Sequence, residues 1–340
     1  MFLIDKYAPI KIEDFLFHKE ELEILKKMSE DESIPHIIFY GPEGSGKKTL
    51  IKLFLEMIYD KYVNKLTDTI YTVAGSGNTT VDVSIKQSNY HIVIEPNNTN
   101  FDRYIIQDVV KEYAKRVPLR VFTKKKVFKT VLINNLDNLS YYAQTSLRRT
   151  MEIFSETCRF IMWCRSLSKV IEPLRSRCYC FRIKAPSDEQ LFDLLLRVAV
   201  NERISLDPLD YDKIILKSNN NIKKALWLLE LKKFNDNFNT TFEYIINQII
   251  KNIMSLDLKS IYVIRELLYK IMITNINGTQ IIKEIVNKLL KLNNINNECK
   301  YEIVKNSAIY EHNLILGRRE IIHLEAFITS IMYCLYKLNK

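Results

Sequence analysis

The sequence predicts an α/β domain followed by all-α domains, and three observations carry that reading. Residues 41–49 read Gly-Pro-Glu-Gly-Ser-Gly-Lys-Lys-Thr, a P-loop set between an apolar run and a helical pattern. Short β-rich runs alternate with helical stretches as far as residue 185, the pattern of a parallel sheet. After Pro186, apolar residues recur at three-to-four spacing almost to the end, the pattern of packed helices. The boundaries that follow are a P-loop parallel-sheet domain over 1–185, a small helical domain over 186–234 and a further helical domain over 242–340.

Taken in order, Ile37–Tyr40 is the strand entering the loop and 49–59 continues as the helix leaving it. His91–Ile94 reads as the next strand, followed by an amphipathic helix from 102 to about 116. Residues 127–134 and 159–164 read as buried strands, and 178–183 as the last one. Ala185-Pro186-Ser187 breaks the alternation, and Ser187 ahead of Asp188-Glu189-Gln190 is a helix N-cap signal. The helical pattern then runs to about 234, and 235–241 is a polar linker. Helices are expected at roughly 242–274, 278–292, 297–311 and 318–339, separated by Asn-rich joints and Gly317. No internal repeat is present.

Composition bounds the partners. The chain has 340 residues, 47% of them hydrophobic, enough for several packed cores. It has no run of about 18 uncharged apolar residues, so no membrane span is expected. Met-Phe-Leu-Ile-Asp-Lys at the start lacks the basic flank and long apolar stretch of a signal peptide. Cys158, Cys164, Cys178, Cys180, Cys299 and Cys334 form no paired C-x-x-C clusters, and the five His lie far apart. Neither a metal site nor a Ser–His triad is expected, and reduced intracellular thiols are the default. The net charge of +10 suits an anionic partner such as DNA, although Lys is abundant throughout, as AT-biased coding would produce. Clustering is more telling. Lys111, Lys115, Arg116, Arg120, Lys124, Lys125, Lys126 and Lys129 lie within 111–130 beside a single acid, Glu112.

The P-loop poses a chemical contradiction. Such a loop cradles phosphates with successive backbone N–H groups at a helix N-terminus, while its Lys, here Lys47, neutralises the outer phosphates. Gly41 and Gly46 permit the tight turn. Hydrolysis further needs a carboxylate for Mg²⁺ at the end of a core strand and a group that activates water. That strand reads Val131-Leu132-Ile133-Asn134-Asn135-Leu136-Asp137, with neutral Asn at both acidic positions. The hydroxyl that should follow the loop Lys is displaced by Lys48 before Thr49. The site reads as one that holds a nucleotide without turning it over and without ordinary Mg²⁺ coordination.

These residues are also similar to a family. Asp5-Lys6-Tyr7-Ala8-Pro9, Pro35-His36, the P-loop, the run 143–152 (Ala-Gln-Thr-Ser-Leu-Arg-Arg-Thr-Met-Glu) and the run 168–178 ending Ser176-Arg177-Cys178 resemble the small subunits of replication factor C, the AAA+ clamp loader. The double-Lys loop, Tyr310-Glu311-His312 and His323-Leu324-Glu325-Ala326-Phe327 resemble the subunit class at the end of that pentamer's spiral. The resemblance covers essentially the whole chain. It implies an AAA+ module with a helical lid and a C-terminal helical collar, working in a heteropentamer that places the sliding clamp (PCNA) on primer–template DNA in replication and repair, in the nucleus.

What the resemblance implies for residues is specific. ATP or ADP would be held by Ile4, Tyr7, Phe17, Gly41, Pro42, Glu43, Gly44, Ser45, Gly46, Lys47, Lys48, Thr49, Arg165 and Lys223. Arg165 stands where the family carries Asn, Lys223 where it carries a lid Arg, and Ala8 where it carries Arg. Arg177 would reach a neighbour's ATP as an Arg finger, a role for a planar, always-charged fork. Lys111, with Lys115 and Arg116, would track DNA phosphates, although Gln107 stands where Arg is common in the family. Lys124–Lys126 read instead as a guard on an edge strand. Arg148 and Arg149 lie where the family couples DNA to nucleotide sites; close Arg pairs also make ordinary ion pairs. Trp163 and Trp227 sit in apolar runs and read as core. The rival readings are an autonomous ATPase, which the missing carboxylates oppose, and a structural scaffold subunit with an empty, vestigial P-loop.

Overall fold

A strand whose every residue is apolar can bury both faces, and Ile37–Tyr40 (β1) does so in the interior of the sheet. The computed structural model describes residues 2–31, 33–75, 80–96, 102–115, 128–234, 241–293, 295–317 and 319–338. The chain divides into two compact units, Met1–Asp236 and Asn237–Lys340.

In the first unit, α1 (Leu3–Lys6) and α2 (Lys19–Glu30) precede β1, and α3 (Lys47–Ile58) follows it. The chain continues through β2 (Thr67–Ala74), β3 (Thr80–Gln87), β4 (His91–Ile94), α4 (Asp102–Ile105), α5 (Lys111–Lys115), β5 (Lys129–Ile133), α6 (Tyr141–Ile153), β6 (Cys158–Cys164), α7 (Glu172–Arg175) and β7 (Tyr179–Arg182). Among the described residues the strands form one sheet in the order β2-β3-β4-β5-β6-β1-β7. Pairs from β4 to β7 are parallel, with Ile37 opposite Ile161 and Tyr179, and Val131 opposite Phe160. Alternation sends successive side chains to opposite faces. Ile38, Val131, Ile133, Phe160 and Met162 pack with residues of α4 to α6 on one face. Ile37, Phe39, Ile161 and Trp163 pack with α2 and α3 on the other.

Two features were not anticipated. The β2–β3 hairpin pairs antiparallel, and β3 joins β4 antiparallel, so the sheet is parallel-dominated but mixed. Its strands are largely open to solvent, and in β3 Val81, Val83 and Ile85 alternate with polar residues instead of forming the continuous apolar run of a fully buried strand. The second is that β5 lies in the sheet interior, between β4 and β6. Edge protection is therefore no reason for the lysines ahead of it; Lys124–Lys126 themselves lie outside the described residues. The helix expected from 102 to 116 is present as α4, a π-helical turn (Ile106–Val110) and α5, and Arg116 lies outside the described residues.

Three helices complete this unit: α8 (Asp188–Glu202), α9 (Pro208–Ser218) and α10 (Ile222–Phe234). Ser187 caps α8 as its sequence requires, its Oγ accepting from Gln190 N at 3.2 Å while Gln190 Oε1 accepts from Ser187 N at 3.0 Å. Trp227 on α10 is not core: it is 51% exposed.

The second unit contains α11 (Thr241–Met254), α12 (Ser260–Ile273), α13 (Gly278–Leu290), α14 (Asn297–Leu316) and α15 (Glu320–Leu338). Residues 235–240, most of the expected linker, lie outside the described residues. The helix expected over 242–274 is two helices. Leu256 adopts φ 53°, which no helix interior tolerates, and Ser260 Oγ donates to Asp257 O (2.6 Å) in the joint. In the other direction, α14 runs five residues past its expected end at 311. Isoleucines and leucines such as Ile246, Ile249, Leu268, Ile285 and Leu289 form one buried core together with Phe327. No helix among the described residues is long and apolar enough to cross a membrane.

Candidate nucleotide-binding site

Residues 41–46 join β1 to α3, and their backbone shows why glycine is needed. Gly44 and Gly46 have φ of 75° and 88°, a region costly for a residue with a Cβ. A Cβ on Gly44 would fall 1.9 Å from Asn221 Oδ1, because the loop tip lies against α10, where Ile222 N donates to Gly44 O at 3.1 Å. The N-terminus of α3 receives no side-chain cap from Gly46. Its first-turn N–H groups thus have no intrahelical acceptor and are directed at whatever fills the loop.

Lys47 is 5% exposed, and its ammonium donates to Gly41 O (2.8 Å), Pro42 O (2.5 Å) and Ser45 Oγ (3.4 Å). Burial pulls its pKa below the ordinary 10.5. The loop is braced from below by His18, whose Nε2–H donates to Ser45 O at 3.0 Å. His18 is buried, and that burial lowers its pKa against the opposing effects of Glu21 and of the bond to Ser45 O.

The loop opens on a cavity of about 580 Å³. Of the residues expected at the nucleotide, Glu43, Gly44, Gly46, Lys47, Lys48 and Thr49 line it from the loop side. Ile4, Tyr7 and Phe17 line it from the N-terminal segment, Arg165 from the end of β6 and Lys223 from α10. Gly41, Pro42 and Ser45 belong to the loop backbone behind Lys47. The lining combines apolar side chains with the cations Lys47, Lys48, Arg165 and Lys223, the two kinds of group a nucleotide's base and phosphates require.

Glu202 on α8 ties the N-terminal segment to the helices α8 and α10. It meets Lys6 Nζ at 2.6 Å, Lys233 Nζ at 2.8 Å and Tyr7 OH at 3.0 Å. Hydrogen bonds from Lys233, Lys6 and Tyr7 hold its carboxyl pKa down at about 2.

The two Asn at the expected acidic positions differ. Asn135 lines the cavity with φ 48°, a left-handed conformation that Asn accepts. Asn134, 7% exposed, is held at both ends of its amide. Its Oδ1 accepts from Trp163 Nε1 at 2.8 Å and its Nδ2 donates to Glu95 Oε1 at 2.8 Å. Sequence reasoning missed Trp163, Glu95 and His18. Trp163 is buried, as its apolar run suggested, yet it also lines the cavity, with Lys48 Nζ 5.2 Å and Lys47 Nζ 5.6 Å from its ring centroid. The available signal was the indole N–H, which needs an acceptor when buried. Arg165, which lines the cavity, pairs with Glu43 at 3.5 Å, and Lys223 Nζ lies 5.0 Å from the Trp227 ring centroid.

Arg177 lies away from these residues, at the turn between α7 and β7. Its Nε meets Glu152 Oε1 at 2.6 Å and its terminal nitrogen donates to Pro173 O at 2.8 Å. Arg148 Nε is 3.8 Å from the same carboxylate, so one member of the Arg pair is an ion-pair partner of α6's own Glu. Lys111 and Lys115 are exposed on α5, four residues apart and hence on one face. Gln107 Nε2 donates to Ser146 Oγ at 3.1 Å, joining that helical segment to α6.

A P-loop on an interior parallel strand, a cavity closed by a following helical bundle and a separate helical unit define an AAA+ module with a C-terminal helical domain. Residues 242–339 match the model of the replication factor C subunit 3 C-terminal domain, and residues 17–187 match that of the DNA polymerase III delta subunit. The chain is 41% identical to a putative replication factor C small subunit of Acanthamoeba polyphaga mimivirus, over 98% of this chain and 90% of that one. It is 35% identical to replication factor C subunit 3 of Arabidopsis thaliana, over 98% and 97%. A solved DNA polymerase III gamma subunit-related protein from Thermotoga maritima shares the fold, with TM-score 0.52 and 12% identity over 92% of this chain and 98% of that one. The chain belongs to the replication factor C family of clamp-loader subunits, among relatives numbered subunit 3 or 5.

Proposed function

We propose that this clamp-loader subunit binds ATP or ADP in the 580 Å³ cavity without hydrolysing it, and that it donates Arg177 to the nucleotide site of a neighbouring subunit. The observation that carries the reading is the contrast inside one site. Buried Lys47 and the uncapped start of α3 face a cavity of nucleotide size, while the strand-end carboxylates are replaced by Asn134 and Asn135. When bound, the nucleotide supplies phosphate charge and an aromatic base. This chain's residues bind and orient it: α3 and Lys47 at the phosphates, Ile4, Tyr7 and Phe17 at the apolar end. Neither Asn can accept a proton from water at neutral pH, so no general base is available at those positions.

The wider reading follows from family membership together with surface chemistry. The subunit joins a heteropentamer through its 242–340 helices, contacts the sliding clamp (PCNA), and tracks primer–template DNA with Lys111, Lys115 and Arg116. In a nucleated cell that work lies in the nucleus. The test of the central part is equilibrium binding and steady-state turnover by the full-length chain. Adenine nucleotide should bind near one equivalent, Lys47→Ala should abolish binding, and phosphate release should stay at background. Turnover that disappears in Lys47→Ala would establish an autonomous ATPase instead, and no binding would establish a scaffold with an empty loop.

A further inference from the structure

A nucleotide usually enters a P-loop with Mg²⁺, held by the hydroxyl that follows the loop Lys and by a carboxylate at a neighbouring strand end. The residues here do not fit that ion. The hydroxyl position is Lys48, on the first turn of α3, with its ammonium 5.2 Å from the Trp163 ring centroid. The carboxylate position is Asn134, whose only side-chain oxygen is already engaged by Trp163 Nε1–H at 2.8 Å. One indole therefore serves both substituted positions, its ring against Lys48 and its N–H on Asn134.

The charges balance. In an ordinary site a doubly charged cation and one carboxylate present a net single positive charge to the phosphates. Lys48 beside neutral Asn134 presents the same single charge with no ion. An added divalent cation would instead add to the charge of the Lys48 ammonium, with no carboxylate at position 134 itself to offset it. The nearby carboxylates are already directed elsewhere in part: Glu95 Oε1 accepts from Asn134 Nδ2 at 2.8 Å. Glu43 pairs with Arg165, and Asp137 Oδ2 accepts from Arg165 N at 3.4 Å, leaving Asp137 Oδ1 buried and without a hydrogen-bond partner among the described residues.

We propose that Lys48 takes the place of the divalent cation, so that this site binds ATP or ADP as the metal-free polyanion. Lys47 and Lys48 are its tethered counter-charges, and Trp163 is the platform that keeps Lys48 at the loop. The inference rests on the nucleotide-binding reading above, and the experiment separates the two.

ADP and ATP are titrated calorimetrically into the full-length chain, once in EDTA and once in excess Mg²⁺. The expected result is tight binding in EDTA that Mg²⁺ does not improve. Lys48→Met should weaken binding in EDTA by about tenfold or more, the effect of removing one charge-assisted bond to phosphate. Lys48→Thr should weaken it similarly in EDTA and recover affinity when Mg²⁺ is added. Lys48 is exposed, so neither change disturbs the core. Electron paramagnetic resonance with Mn²⁺ gives a second readout: the ion should stay free of the protein–ADP complex. Binding that requires Mg²⁺ in the wild type would overturn the proposal while leaving nucleotide binding intact, and loss of that Mg²⁺-dependent binding in Asp137→Asn would make Asp137 the metal ligand. Unchanged EDTA affinity in Lys48→Met would also overturn it. No binding under either condition would remove both readings.

Discussion

Asn134 shows how a single residue changes the character of a site. At a strand end beside a P-loop the usual carboxylate would be drawn to a metal; here an amide is locked between an indole donor and a Glu acceptor. The bond directions explain why Asp cannot simply replace it. A carboxylate keeps the bond from Trp163 but loses the donor to Glu95 and sets two negative groups together. Asn134→Asp is therefore expected to destabilise the fold by about 1–3 kcal/mol, the range for a buried polar group deprived of its partner. Urea denaturation at neutral pH measures this, and a variant as stable as the parent would mean that the amide clamp carries no weight. At this scale the sequence was legible where motif and chemistry coincide. Gly46, Lys47, Asn134 and Asn135 could be read directly, because phosphate loops demand fixed residue types. Trp163, Glu95 and His18 could not, since their roles depend on partners 27 to 39 residues away in the chain.

Individual elements were legible in proportion to how buried they are. The strands β1, β4 and β6 stood out, as did the Ser187 cap of α8, because each is specified by adjacent residues. The β2–β3 hairpin was missed although β3 alternates Val81, Val83 and Ile85 with polar residues, because both strands are largely solvated and lack the apolar runs that marked the buried strands. The break between α11 and α12 was hidden for a related reason: Leu256 is an apolar residue in an unfavourable backbone conformation, which composition does not announce. The short helix α5 carries the functional expectation at this scale. Lys111 and Lys115 are exposed on one face, beyond a π-turn whose Ile106, Val109 and Val110 are buried. Lysines bound to phosphates release counterions, so replacing both by Ala in the assembled complex should reduce the log–log salt slope of duplex binding by about 0.9 per phosphate no longer neutralised. An unchanged slope would return both lysines to a merely solvated face.

For the molecule as a whole, fold class and family could be read from the sequence, while the division into two compact units emerged from packing. Helices α8 to α10 belong with the sheet because Glu202 binds Lys6, Tyr7 and Lys233 together and Gly44 O accepts from Ile222 N, pairings that span most of the first unit's sequence. The functional claim also lives at this scale. A chain with no carboxylate at its own hydrolytic positions retains an intact Ser176-Arg177-Cys178, with Arg177 held by Glu152 at the surface. That pairing is what the proposed action of the Arg on another subunit's nucleotide rests on. The most direct measurement is the DNA- and clamp-stimulated ATPase of the reconstituted complex containing Arg177→Ala. An Arg finger in trans is worth on the order of 10³–10⁵ at the site it serves, diluted in the total by the other sites. The expected result is a lowered ATPase with assembly and this chain's own nucleotide occupancy intact, and little rescue by Arg177→Lys, which lacks the planar fork. An unchanged ATPase in a normally assembled complex would contradict the claim.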